Sequence, residues 1–196
     1  APDDERASHE RRLRGVVISA LIFAGYALVG RHWIDAATMR AAAQQSGLDN
    51  PWVYLGAAAY WITANSLLEE YVWRWFVFRQ CEVVAGAWWS GPVARQGAPA
   101  TSVAPGSPQG RTPLTPASVV AVLASALFFT LHHTVALAAQ VDARTNVLAS
   151  LGVFVGGAVW SWCYLRYRSI WPGYLSHAVV DVPIFVIGWW VIHGGA

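Results

Sequence analysis

Five stretches of the chain, roughly 14–31, 52–79, 117–139, 146–165 and 170–192, run apolar with few polar interruptions. A helix needs about 20 such residues to cross a bilayer, so the pattern predicts five or more membrane-spanning helices. Three of the runs open on helix-start chemistry: Asn50 before Pro51, Thr115 before Pro116, and Pro172 within "SIWPG". Between the second and third runs lies "GPVARQGAPATSVAPGSPQGRTPLTP", residues 91–116, rich in Pro, Gly, Ala and Ser. It has no periodicity with which to bury a core and reads as a loop. The preceding "CEVVAGAWWS" either extends the second helix or lies in the membrane interface, anchored by Trp88 and Trp89.

Composition supports the membrane reading and sets limits on partners. Of 196 residues, 56% are hydrophobic and 12% charged, and twelve are tryptophan; a soluble domain carries about twice that share of charge. The fold class expected is all-α, a polytopic bundle around a polar intramembrane cavity, with membrane lipids as partners. A formal charge of +2, spread over thirteen arginines with no basic cluster, argues against nucleic acid. Counting arginines near the span ends puts Arg6, Arg11, Arg12, Arg14, Arg79, Arg95, Arg111, Arg166 and Arg168 on the amino-terminal side, against Arg31, Arg40 and Arg144 opposite. That bias predicts a cytoplasmic amino terminus, with residues 1–13 a polar cytoplasmic segment and 14–196 one membrane domain. Cys81 and Cys163 lack metal-ligand or disulfide spacing and read as buried thiols.

Seven ionisable residues remain inside the spans: Glu69, Glu70 and Arg74 in the second, His132 and His133 in the third, and His177 and Asp181 in the last. Such groups are costly in a bilayer and mark functional sites by default. Glu70 and Arg74 are one turn apart and pair, whereas Glu69 points about 100° away, with its charge free for general-base work. Phe129 and His133 share one face of the third helix, Phe128 and His132 the next, and only one of these faces can meet Glu69. His177 and Asp181 again share a face, with Pro183 just beyond. Counted along the helices, the three sets lie at different depths, and they converge if the second helix runs on to Trp88 and the last begins nearer Tyr164, or if the third starts closer to Ala121.

The residues "EEYVWR", "FTLHH" and "HAVVD", in that order on separate apolar helices, are EExxxR, FxxxH and HxxxN/D motifs. Together, over roughly residues 55–190, the chain resembles the CPBP family of intramembrane proteases, also called Abi or CAAX-protease-like. The resemblance implies a peptide-bond hydrolase. Glu69 would be the base that activates water, His133 would help hold that water, and Glu70 with Arg74 would be a supporting ion pair. Phe129 leads into His133 as in the family motif, and His132 would serve a neighbouring contact. His177 would stabilise the oxyanion. The family's usual asparagine is replaced by Asp181, which as a carboxylate cannot donate to an oxyanion, so it stands open whether Asp181 orients His177, donates as the neutral acid or helps hold a metal.

Zinc and metal-free chemistry both remain open in the sequence. Glu69, His133 and His177 could supply three ligands with water as the fourth, but there is no HExxH on one helix. The substrate implied is a peptide or membrane protein, prenylated or not. Three other readings compete: an inactive scaffold or immunity protein of the same fold, a haem protein using His133 and His177 as axial ligands, and a proton-coupled transporter.

Overall fold

The computed structural model describes residues 20–94 and 114–194 of the chain. Among the described residues the regular structure is entirely helical. The chain is helical from the first described residue, 20, and continues through a π turn, Tyr26–Gly30, into Arg31–Trp33, together α1. Helix α2 is Ala36–Ser46. Helix α3 is a continuous series of segments: Pro51–Tyr60, Trp61–Asn65, Ser66–Glu70, Tyr71–Phe78 and Arg79–Ala94. Helices α4, α5 and α6 are Pro116–Leu137, Ala143–Tyr167 and Trp171–His193.

Helices α4, α5 and α6 are each long and apolar enough to cross a membrane. Their bounds lie within a few residues of the expected third to fifth runs. These three are the spans that length and apolarity establish among the described residues, fewer than the five expected. Part of the first run, 14–19, and most of the 91–116 loop, 95–113, lie outside the described residues.

The second run differs from expectation in kind. It forms no uninterrupted α-helix, because Trp61–Asn65 and Tyr71–Phe78 adopt π-type hydrogen bonding. The junction residues Trp61, Ser66, Tyr71 and Arg79 all keep right-handed helical dihedrals, so the chain does not turn. The stretch Cys81–Ser90 extends this helix and is not a separate interfacial piece, and the chain is helical through Ala94, inside the expected loop. At about 1.5 Å per residue α3 is on the order of 60 Å long, twice a bilayer's hydrocarbon thickness. Each π turn also inserts a residue and re-aims the face that follows it, a device common at functional sites.

Two of the three expected starts are side-chain caps. Asn50 accepts from the backbone N–H groups of Trp52 and Val53, and Thr115 forms a reciprocal capping box with Ser118. Helix α6 opens without one, Trp171 N–H reaching Ser169 Oγ at 3.3 Å. Asp35 and Asp142 cap α2 and α5 in the same way as Asn50.

Helix α4 packs along α5 and against α3, while α6 lies against α5 and the middle of α3. One apolar cluster, Phe78, Ala85, Ala121, Val122, Tyr164 and Leu165, joins α3, α4 and α5. Gly157 permits the close approach of α4 and α5: a Cβ there would stand 3.0 Å from Phe129 Cδ1 and 3.4 Å from Ala126 Cα. At the end of α5 Arg168 takes a left-handed conformation, φ 49°, and grips Glu82 of α3 through two 2.7 Å bonds. Arg40 of α2 donates to the carbonyls of Val191 and Gly194, closing the end of α6.

Candidate active site

Helices α3, α4 and α6 bring Glu69, His133, His177 and Asp181 to one point. Glu69 Oε1 lies 3.7 Å from His133 Nε2, and its Oε2 lies 3.7 Å from His177 Nε2. Both separations are too long for a direct hydrogen bond. Asp181 Oδ1 is 3.8 Å from the same His177 Nε2. The Glu69 side chain is only 15% exposed.

Each histidine is oriented through its other ring nitrogen. His133 Nδ1 is 2.9 Å from the Phe129 carbonyl oxygen. A carbonyl can only accept, so Nδ1 carries the hydrogen, and in the neutral ring Nε2 presents a lone pair toward Glu69. His177 Nδ1 lies 3.2 Å from Glu70 Oε1, while Trp160 stacks on the ring with centroids 3.9 Å apart and planes 20° from parallel. Trp160 Nε1–H donates to Ser176 Oγ, which fixes the indole.

The expected Glu70–Arg74 pair is present and almost wholly buried, with Nε 3.5 Å from Oε1. Among the described residues the guanidinium has no hydrogen-bond partner, and neither does Glu70 Oε2. In place of hydration the guanidinium carbon lies 4.4 Å from the Phe129 ring centroid and 5.2 Å from that of Trp160. Cation–π contact of this kind is strongest where water is excluded. Phe129, 2% exposed, is the hub of the site: its ring also meets Trp73, His133 and His177. On the far side Glu70 presses against the first turn of α6, where the helix dipole favours a negative charge. A side chain at Gly173 would overlap Glu70 Oε2.

His132 turns to the exposed face of α4, its ring 5.5 Å from that of Trp73. With Trp73, Phe128 and Val135 it lines an open apolar groove of about 620 Å³. Trp73 is half-buried beside Phe129, whereas Trp75 is 44% exposed. His193 stacks on Trp189, and its Nε2 lies 3.2 Å from the Asp49 carbonyl oxygen.

Two polar residues of the site were not singled out in the sequence. Asn65 donates its side-chain amide to Glu69 Oε1 at 2.8 Å, so Glu69 is less isolated than its spacing from Arg74 suggested. Ser66 Oγ lies 2.8 Å from Asp181 Oδ2. Their signal was present: both sit one turn before a glutamate of the pair, inside the apolar run "WITANSLLEE".

For metal binding, Glu69, His133 and His177 approach in pairs, but among the described residues no three His, Cys, Asp or Glu groups converge as a ligand set. The arrangement provides a carboxylate between two imidazole nitrogens.

Neither a curated protein nor a solved structure matches the chain. Residues 50–183, more than half of the chain, match the family described as Type II CAAX prenyl endopeptidase Rce1-like. The match contains all the residues of the cluster, and the chain belongs to that family.

Proposed function

We propose that the protein is an intramembrane endopeptidase in which Glu69 activates a water molecule for attack on a peptide carbonyl. The observation that carries this reading is the position of Glu69, 3.7 Å from the Nε2 atoms of both His133 and His177. A water between Glu69 Oε1 and His133 Nε2 donates one hydrogen to each, leaving its lone pairs free for the substrate.

In the reaction Glu69 takes one proton of that water as the oxygen bonds to the carbonyl carbon. The carbonyl oxygen becomes an oxyanion facing His177. Because His177 Nδ1 is turned to Glu70, donation from Nε2 requires the doubly protonated ring. The Trp160 ring, stacked on the imidazole, fixes its plane. Collapse of the intermediate breaks the C–N bond, and the proton held by Glu69 passes to the leaving amine. Products are a carboxylic acid, which keeps the water's second hydrogen until it ionises to solvent, and a free amine. Glu70 and Arg74 form the buried base on which His177 rests. Donors that converge on developing charge in a dry site are worth far more than in water.

The family description points to peptides whose tail carries an isoprenoid, and we propose such lipidated carboxyl-terminal tails as the substrate class, presented from the bilayer. The test is cleavage by purified protein in nanodiscs of a prenylated peptide, its unprenylated twin and a quenched peptide library. Wild type is compared with Glu69→Gln, each with and without a zinc chelator. Cleavage that survives chelator and disappears in Glu69→Gln is the expected result. Equal cleavage by wild type and Glu69→Gln overturns the assignment of the base, and cleavage lost to chelator and restored by zinc overturns the metal-free chemistry.

A further inference from the structure

Ser66 has one hydroxyl hydrogen and two acceptors within reach, the Trp61 carbonyl and Asp181 Oδ2, each at 2.8 Å. The residue is completely buried. The π turn Trp61–Asn65 settles which acceptor needs it. There the backbone N–H of Ser66 already reaches the Trp61 carbonyl, so that oxygen is satisfied without the hydroxyl. Asp181 Oδ2 has no other hydrogen-bond donor among the described residues. A bond to a carboxylate is also the stronger of the two.

The consequence lies on the other carboxyl oxygen. An aspartate carboxyl rotates over a broad, roughly two-fold torsion. Tied to α3 through Oδ2, it must turn Oδ1 toward His177 Nε2, 3.8 Å away on its own helix. From α3 the site is also faced by Glu69 and Glu70, which meet the same imidazole at 3.7 and 3.2 Å. An oxygen held at that distance supports a hydrogen on Nε2 electrostatically and is turned toward the imidazole, away from the role of donor to an oxyanion.

We infer that Ser66 is a positioning residue that pins Asp181 against His177, so that Asp181 serves the imidazole and is not itself a donor to the oxyanion. This rests on the hydrolytic reading above for its effect on rate, but its geometry can be tested apart from it. The π turn is what makes the contact possible: the residue it inserts places Ser66 toward α6 while Glu69, three positions on, faces both histidines.

The experiment uses full-length protein in nanodiscs with ¹⁵N-labelled histidine. The His177 ring resonances are assigned by loss in His177→Gln and compared among wild type, Ser66→Ala, Asp181→Ala and the double variant. The expected result is that Ser66→Ala and Asp181→Ala move the His177 signals in the same direction, that the double variant moves them no further than Asp181→Ala, and that His133 signals stay in place. His177 signals unmoved by Ser66→Ala overturn the inference, whatever the peptides show. Ser66→Cys, which keeps the volume and weakens the donor, serves if Ser66→Ala does not yield folded protein.

The second readout is kinetic. With a cleaved peptide, Ser66→Ala lowers kcat about tenfold, with KM within about twofold, and has no further effect in the Asp181→Ala background. Equal losses in both backgrounds overturn the coupling. Failure of wild type to cleave, or activity retained in Glu69→Gln, instead overturns the hydrolytic reading and leaves the NMR comparison to decide the positioning.

Discussion

Two polar regions of this bundle solve the same problem in opposite ways. At the seam between α4 and α5, Thr134 Oγ1 and Ser150 Oγ are 2.6 Å apart, Ser150 donates to Asn146 Oδ1, and the Asn146 amide donates to the Thr134 carbonyl. Every group there is neutral and each has a partner. At the junction of α3, α4 and α6 the groups are ionisable, the ion pair is long at 3.5 Å, and Arg74 and Glu70 Oε2 retain unspent hydrogen-bonding capacity. A closed neutral network joins two helices and asks nothing more of them. An open charged one is tolerated only where its spare capacity is used, because buried unsatisfied polar groups are expensive.

The sharpest way to break the comparison is at Glu69. Loss of a general base lowers turnover by about 10²–10⁴-fold, so Glu69→Gln should abolish measurable cleavage with little change in thermal stability, since glutamine still accepts from Asn65. Cleavage rate and melting temperature measured on the same nanodisc preparation check both halves. A fall in stability as large as the fall in rate would place Glu69 with the structural groups.

Next in size is the ion pair beneath it. Arg74→Met leaves Glu70 buried without its cation, which costs about 3–5 kcal/mol. The double variant Glu70→Gln with Arg74→Met should recover most of that stability but not cleavage, because Glu70 also meets His177 Nδ1 at 3.2 Å. Denaturant titration of the three variants reads the recovery. If the double variant is no more stable than Arg74→Met, the cost comes from the lost stacking on Phe129 and Trp160, and the pair is not the stabilising element.

At the α4–α5 seam the effect should be smaller and confined to stability. Thr134→Val removes the bond to Ser150 at constant volume and should cost about 0.5–1.5 kcal/mol, the range for interhelical hydrogen bonds in membranes. Thr134 lies one residue from His133 but faces α5, so kcat should stay within about twofold of wild type. A large fall in kcat would show that the seam is coupled to the site, and that the two regions are not separate devices.

The sequence was most informative where physics is local. The apolar runs gave α4, α5 and α6 within a few residues, and one-turn spacing gave Glu70 with Arg74 and His177 with Asp181. The choice between His132 and His133 rested on the motif alone, and the fold sends His133 toward Glu69 and His132 to the outer groove. What stayed hidden depends on hydrogen-bond register. Nothing in the run 52–79 distinguishes α from π turns, yet the turn at Trp61–Asn65 decides that Ser66 reaches Asp181. The hub role of Phe129 was hidden for a related reason. It needs Gly157 opposite and Trp160 one turn further along α5, a coincidence of two helices that no single window contains.

The smallest effect expected lies at the end of the seam, where Asp142 caps α5. Its carboxyl accepts from the backbone N–H groups of Arg144 and Thr145 and from the Thr145 hydroxyl. These bonds, the hydroxyl's first, hold its pKa below the ordinary carboxylate value. A depressed folded-state pKa contributes stability that is full above the unfolded value, near 3.9, and is lost as pH falls through the folded value. The stability difference between wild type and Asp142→Ala should therefore be constant from neutral pH down to about 5 and shrink below about 4. Asp142→Asn, which keeps the cap without the titrating charge, separates the two contributions: against Asp142→Ala its advantage should not depend on pH. Melting temperatures of the three proteins between pH 3 and 7 measure this directly. A difference that grows on acidification would mean that the carboxylate is destabilising at the end of α5, through repulsion from Asp35 nearby, and that the cap is carried by Thr145 instead.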